Sequence, residues 1–193
     1  MKRNLARSLR RKLARQDIRK HLPPGAPAQE PRSQTPKIPL KRNIKLATLN
    51  VRGLNKTAKR KELELYMIEH SIDIMVVQET HLGEDIRETR KKHTWHFSGG
   101  EVAGTIHHGV GTIYHNNLRH FHRDTECISD RLMVTTFNGK IDLHIISAYA
   151  PTAIATEEDK DAFYTSLTEE IHKRRKQGMT LMGADLNAKF NEK

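Results

Sequence analysis

IDIMVVQETHL, residues 72–82, decides the fold. It is apolar through Ile74–Val77 and turns polar at Gln78, Glu79, Thr80 and His81. The run predicts a strand over 72–78 buried on both faces, as in sheets that carry layers on either side. Three other segments share this form: TLNVRGL at 48–54, SAYAPT at 147–152 and GADLNAKF at 183–190. Each begins in or just after an apolar run and ends in groups that can face solvent or a ligand. In layered α/β proteins chemistry collects at strand ends, where loops carry the groups and the sheet holds them still. Asn50, Glu79, Tyr149, Asp185 and Asn187 can therefore converge on one pocket. Two carboxylates with two amides and a phenol form an oxygen-rich set suited to Mg²⁺ and a phosphate ester.

Around these motifs the pattern alternates. IKLATLNV (44–51) reads as a strand. Residues 56–70 read as a helix, with Leu63, Tyr66, Met67 and His70 on one stripe. Further short strands are predicted at 95–98, 110–115 and 118–122, with a turn at Asn116-Asn117. RLMVTTF and KIDLHIISAY flank Asn138-Gly139, the two-residue signal of a type I′ hairpin. Thr156 and Asp159 form a helix-start capping pair. The helix after them keeps Phe163, Leu167 and Ile171 on one side, with acids first and bases last as the helix dipole favours. Gly178 is expected to end it, and 179–185 is a last strand. Strand–helix–strand units at both ends with a hairpin between them predict an α+β or mixed α/β fold.

The 193 residues allow one ordinary domain plus a tail. Charge divides the chain. Residues 1–43 hold 13 Lys/Arg against Asp17 and Glu30, whereas 44–193 hold 21 bases and 21 acids. The net +11 thus sits on an N-terminal arm, and any steering of a polyanion by average charge comes from it. Residues 2–20 can form a basic helix with Leu5, Leu9 and Leu13 on one face. Six of the seven prolines fall in 21–40, which reads as an extended linker. The expected division is a basic, Pro-rich, disordered arm over 1–42 and a domain over 43–193. Three readings of the arm stay open: a solvated tail, a nucleic-acid or nuclear-import contact, and an Arg-rich transit peptide. No run approaches the roughly 18 apolar residues of a membrane span, and the N-terminus lacks the apolar stretch of a secretory signal. The single Cys127 excludes an intramolecular disulfide.

The four motifs, in this order, resemble the endonuclease/exonuclease/phosphatase superfamily. They are most similar to the apurinic-endonuclease-like domains of non-LTR retrotransposons and to the craniofacial-development-protein chains derived from them. The resemblance covers 44–193. It implies a four-layer α/β sandwich, two sheets face to face with helices outside, and an Mg²⁺-dependent DNA endonuclease, with Mn²⁺ as a substitute. It also implies Glu79 as main metal ligand with Asn50 beside the metal. Asp185 would orient or deprotonate the attacking water, and Asn187 and Tyr149 would contact the phosphate. Arg52 stands where many members have an acid and offers a phosphate contact. Thr152 stands where apurinic endonucleases have Asn after Tyr-x-Pro and replaces that contact in part. The family's closing Ser-Asp-His has no counterpart here, since Ser129-Asp130 is followed by Arg131. The second half of the fold is expected to be incomplete and activity weak.

Each residue also has a plainer reading: Glu79 as a surface acid at a strand end, Asn50 as a turn former, Asp185 as an Asx turn, Tyr149 as an amphipathic core-edge residue. Seven of the twelve histidines fall between His93 and His122. Without a cysteine set or a helical His-Glu-x-x-His they read as strand and loop positions rather than zinc ligands. His81 adjoins Glu79. Two functions of different class remain: a DNA-cutting phosphodiesterase, and a non-catalytic nucleic-acid-binding or interaction remnant that uses the arm. Phosphoinositide and sphingomyelin phosphodiesterases share the superfamily, but QETHL and YAP beside TLNVRGL favour the nucleic-acid branch. DNA is the expected partner, no membrane is, and an intracellular, nuclear location is expected.

Overall fold

The computed structural model describes residues 36–39, 43–100 and 108–188. The chain divides into two units, Met1–Gln34 and Thr35–Lys193, and the second holds all described residues. The expected arm helix and the end of the GADLNAKF motif lie outside them.

The elements run β1 (Leu46–Asn50), α1 (Thr57–Glu69), β2 (Ile74–Gln78), β3 (Ile86–Thr89), β4 (His93–Ser98), β5 (Val110–His115), β6 (His122–Ser129), β7 (Leu132–Phe137), β8 (Asp142–Tyr149), α2 (Glu157–Arg175) and β9 (Gly178–Asp185). They form two mixed sheets, ordered β1-β2-β5-β4-β3 and β6-β7-β8-β9. β1 and β2 are parallel, as are β8 and β9, and every other pairing is antiparallel. Each parallel pair is joined through a helix, the crossover that parallel strands require. The fold is mixed α/β, as the alternating pattern predicts.

Side-chain alternation builds the layers. On β2, Met75 and Val77 join Leu63 and Met67 of α1 and Trp95 and Phe97 of β4 in one core. Ile74 and Val76 face the other way, into a core shared with Phe137 and Ile145 of the second sheet. On that sheet's far side, Ile146 and Ala148 pack against Phe163 and Leu167 of α2. Three apolar layers thus separate helix, sheet, sheet and helix. The α2 start holds the expected cap: Thr156 Oγ1 accepts from the Asp159 backbone N–H at 3.1 Å and donates to the Asp159 carboxylate at 2.8 Å.

Several local expectations change. The strand expected at 118–122 is absent there. Asn116–Leu118 forms a 3₁₀ turn, because Leu118 and Phe121 plug the core between the sheets, and the strand begins at His122. Asn138-Gly139 is no type I′ turn, since neither residue has positive φ. Ile38 instead donates its N–H to the Asn138 carbonyl at 2.9 Å, and Gly139 N–H donates to Asp142 Oδ1 at 3.2 Å, which opens the connection. Gly178 begins β9 rather than ending α2. Of the α1 stripe only Leu63 and Met67 are buried; Tyr66 and His70 stack on each other at the surface with ring centroids 4.1 Å apart. β3 carried no signal strong enough to predict it.

Candidate active site

The C-terminal ends of four strands meet at one end of the sandwich. Register places Asn50 of β1 opposite Gln78 of β2, and Tyr149 of β8 opposite Asp185 of β9. Beyond Gln78 the first two motif loops stay paired: Gly53 and Leu54 N–H donate to the Glu79 and Thr80 carbonyls at 2.6 and 2.7 Å. The β8 and β9 ends are tied likewise by Ala150 N–H to the Asp185 carbonyl at 2.9 Å.

Asn50 joins the two halves. Its Nδ2 donates to Glu79 Oε1 at 2.7 Å and to Asp185 Oδ2 at 2.8 Å, so one amide nitrogen spans carboxylates from different sheets. Its Oδ1 accepts from the Arg52 backbone N–H at 3.2 Å. Asp185 Oδ1 accepts from Asn187 N–H at 3.0 Å, the Asx turn of the plainer reading, and Asn187 Nδ2 donates to the Ala150 carbonyl at 2.7 Å. The Tyr149 phenol is in hydrogen-bonding reach of Glu79 and Asn187; burial, with the Glu79 carboxylate beside it, pushes its pKa up. All five strand-end residues thus share one connected cluster. His81 Nε2 lies 3.8 Å from Glu79 Oε2.

The two expected substrate contacts lie outside that cluster. Arg52 joins it only by its backbone; its exposed side chain lines a neighbouring cavity of about 470 Å³ with Lys59 and Tyr66. Thr152 is exposed in the turn after Pro151 and takes no part in the cluster's hydrogen bonds. A second cleft, also about 470 Å³, opens between the β1 and β9 ends and is lined by Asn50, Asp185 and Asn187.

Backbone strain concentrates here. Arg52, Glu79, His81 and Asn187 all hold φ between +47° and +55°, a region that L residues visit rarely; Ser71 is the other described non-glycine that does. Such strain costs of order 1–3 kcal/mol per residue and persists where the surroundings force it, most often at functional sites. Gly109 also has positive φ, +108°, and a side chain there would meet Thr80 Oγ1 at 2.1 Å. It lets the start of β5 pass hard against the Glu79 loop, where Thr80 N–H donates to its carbonyl at 3.0 Å.

Among the described residues no three His, Cys, Asp or Glu side chains gather to hold a metal ion. The available oxygens are those of Glu79, Asp185 and the Asn50 amide. Two carboxylates that share one N–H donor are electrostatically suited to a small divalent cation, with the remaining ligands as water and substrate oxygens, the manner in which Mg²⁺ is usually held. The set fits that ion if Asn50 turns its Oδ1 inward.

Motif reading missed a second cluster beside Tyr149, made by His108, Asp130 and Arg131. The one available signal was that His108-Gly109 precedes a strand and Asp130-Arg131 joins two, at the same end of the fold.

No family model matches the chain, and no curated protein matches it. Solved structures do. An AP endonuclease from Archaeoglobus fulgidus is 19% identical with a TM-score of 0.51, over 74% of this chain and 57% of that one. AP endonuclease LMAP from Leishmania major is 16% identical with a TM-score of 0.55, over 75% and 55%. D. rerio TDP2, solved with a single-strand DNA product, is 13% identical with a TM-score of 0.52, over 76% and 62%. The likeness is one of fold: two mixed sheets and two helices arranged as in these endonuclease/exonuclease/phosphatase-type structures. It spans less than two thirds of the length of each of the three.

Proposed function

We propose that the strand-end cluster is the site of a divalent-cation-dependent phosphodiesterase that cuts DNA, in the manner of the retrotransposon-type endonucleases its motifs resemble. One observation carries this reading: Asn50 Nδ2 bonds Glu79 and Asp185 together, though they lie 29 and 135 residues away from it in sequence. A structural Asx turn accounts for Asp185 alone and leaves Glu79 unexplained. Glu79 would hold Mg²⁺ or Mn²⁺, with Asn50 as its neighbour. When bound, such a cation supplies Lewis-acid stabilisation of charge on a phosphate oxygen. Asp185 orients or deprotonates the attacking water. Tyr149 and Asn187 donate hydrogen bonds to the phosphate, and their fixed positions supply the electrostatic part of the rate. Arg52 and Thr152 meet the backbone on either side of the cluster, Arg52 as a charge-assisted donor. An intracellular, nuclear location would accord with a DNA substrate; among the described residues no helix is long and apolar enough to cross a membrane.

Supercoiled-plasmid nicking with Mg²⁺ tests this. Glu79→Ala and Asp185→Asn are each expected to slow nicking by about 10²–10⁴-fold. Nicking that survives both substitutions overturns the assignment. Salt-sensitive DNA binding that persists without any cutting, and is lost with residues 1–42, supports the binding-remnant reading instead.

A further inference from the structure

A chain of three side chains runs up to the back of Tyr149. Asp130 and Arg131 sit in the turn between β6 and β7, and His108 lies just before β5. His108 Nδ1 is 2.7 Å from Asp130 Oδ2, and Arg131 Nη2 is 2.6 Å from His108 Nε2. A guanidinium can only donate, so His108 Nε2 accepts and its proton resides on Nδ1, donated to Asp130. That bond holds the Asp130 carboxyl below the usual carboxylate range. Asp130 and His108 together therefore set the orientation of the Arg131 guanidinium.

The guanidinium faces the site. Its Cζ stands 5.2 Å from the Tyr149 ring centroid, within cation–π range. Its Nη1 donates to the Tyr149 and Ala150 carbonyls at 3.4 and 3.3 Å. The Ala150 carbonyl also accepts from Asn187 Nδ2. The backbone repeats the coupling: Tyr149 N–H donates to the Arg131 carbonyl at 2.9 Å, Gly109 N–H to Asp130 at 3.0 Å, and His81 N–H to His108 at 2.8 Å. A staple that served the β6–β7 turn alone would have no need to reach both Tyr149 and the loop that holds Glu79.

We propose that Asp130, His108 and Arg131 form a positioning relay that clamps the Tyr149 ring and the Ala150 carbonyl, and so aims the Tyr149 and Asn187 donors at the reacting phosphate. This rests on the phosphodiesterase reading for its effect on rate, but the clamp itself is testable without it. None of the three is a catalytic residue; they act through Tyr149 and Asn187.

The test uses the full chain with ring-¹³C-labelled tyrosine, free of metal. The chain has four tyrosines, Tyr66, Tyr114, Tyr149 and Tyr164, and Tyr149→Phe assigns the signal in question. Arg131→Met and His108→Leu are expected to shift the Tyr149 ring signal and leave Tyr66 and Tyr164 in place. Arg131→Lys and His108→Gln, which keep a cation or a donor–acceptor pair, are expected to shift it less. In nicking assays Arg131→Met is expected to lower kcat about 10–100-fold, the usual effect of removing an outer group that orients a reacting one, with KM little changed and partial rescue by Arg131→Lys. A Tyr149 signal that stays put in folded Arg131→Met overturns the relay, as does a loss confined to KM, which would mark Arg131 as a direct substrate contact. If Arg131→Met does not fold, His108→Leu, whose ring lies 6.2 Å from that of Tyr149, decides on the same signal. A wild-type chain that does not nick removes the phosphodiesterase reading and leaves the ring signals to decide the relay.

Discussion

Asn50 separates two carboxylates with an amide. Without Nδ2 both would lose the donor they share. Asn50→Asp puts a third carboxylate where the shared donor was. In EDTA this variant is expected to lose about 1–3 kcal/mol of stability, the range for lost hydrogen bonds to charged groups. Millimolar Mg²⁺ or Mn²⁺ should restore most of it, while the wild type responds much less. Urea unfolding with and without the cation measures both, and identical responses in the two proteins would rule out a cation between Glu79 and Asp185. The residues that meet at Asn50 were legible because each closes an apolar run with a polar group that has no local use for its position. His108, Asp130 and Arg131 were not: each lies in a short connection, where charge is the ordinary composition. Only the sheet register brings them beside Tyr149. Arg52 was picked out by residue type alone: the fold takes up its backbone N–H and leaves its side chain exposed.

Among the elements, β9 comes close to β1 and β2 at Gly183. A Cβ there would lie 2.7 Å from Val76 Cβ and 3.1 Å from Thr48 Oγ1, so the two sheets meet across a residue with no side chain. Gly183→Ala must push the sheets apart at a point two residues from Asp185. Overpacking of this kind costs about 1–3 kcal/mol. Val76→Ala in the same chain should return part of that stability and part of any lost nicking, because it vacates the space the new methyl needs. If the double variant is merely the sum of the singles, the contact is not what limits the approach. Both strand–helix–strand units could be read from the sequence, as their apolar periods are long and the second helix opens on the Thr156 cap with acids first and bases last. The elements between them could not. β3, Ile86–Thr89, alternates half-buried and exposed residues and has no apolar run. The stretch before β6 looked like a strand because Leu118 and Phe121 are apolar, but they are buried as plugs from a turn.

At the scale of the whole molecule, each of the three layers between helices and sheets contains a histidine whose pKa burial lowers. His93 lies on the α1 side of β4 with Glu64, and burial lowers its pKa. His96, on the opposite face of the same strand, meets Thr125 of β6 at 2.8 Å, and His122 shares that hydroxyl, also at 2.8 Å. His144 bonds Thr136 at 3.0 Å on the α2 side of β8, where burial and the Arg174 charge lower its pKa. His96 is the extreme case: burial, with His122 and Arg87 nearby, lowers its pKa from 6.5 to about 4. A base whose folded pKa lies below its unfolded value leaves the unfolded chain holding more protons between the two. Stability from this group is therefore complete above about pH 6.5 and falls as pH drops toward 4. The shift corresponds to about 3 kcal/mol for His96 alone. Urea unfolding of wild type and His96→Gln across pH 4–8, both in EDTA, isolates it from the carboxylates common to both. The wild-type curve should be the steeper by about that amount, and parallel curves would mean that folding leaves the His96 pKa unshifted. Because His96 and His122 share one hydroxyl between the two sheets, the first cooperative loss in acid is expected to be the packing of sheet on sheet. That contact also brings Asn50 and Glu79 to Asp185, so nicking, if measured against pH, should fail over the same range as the fold.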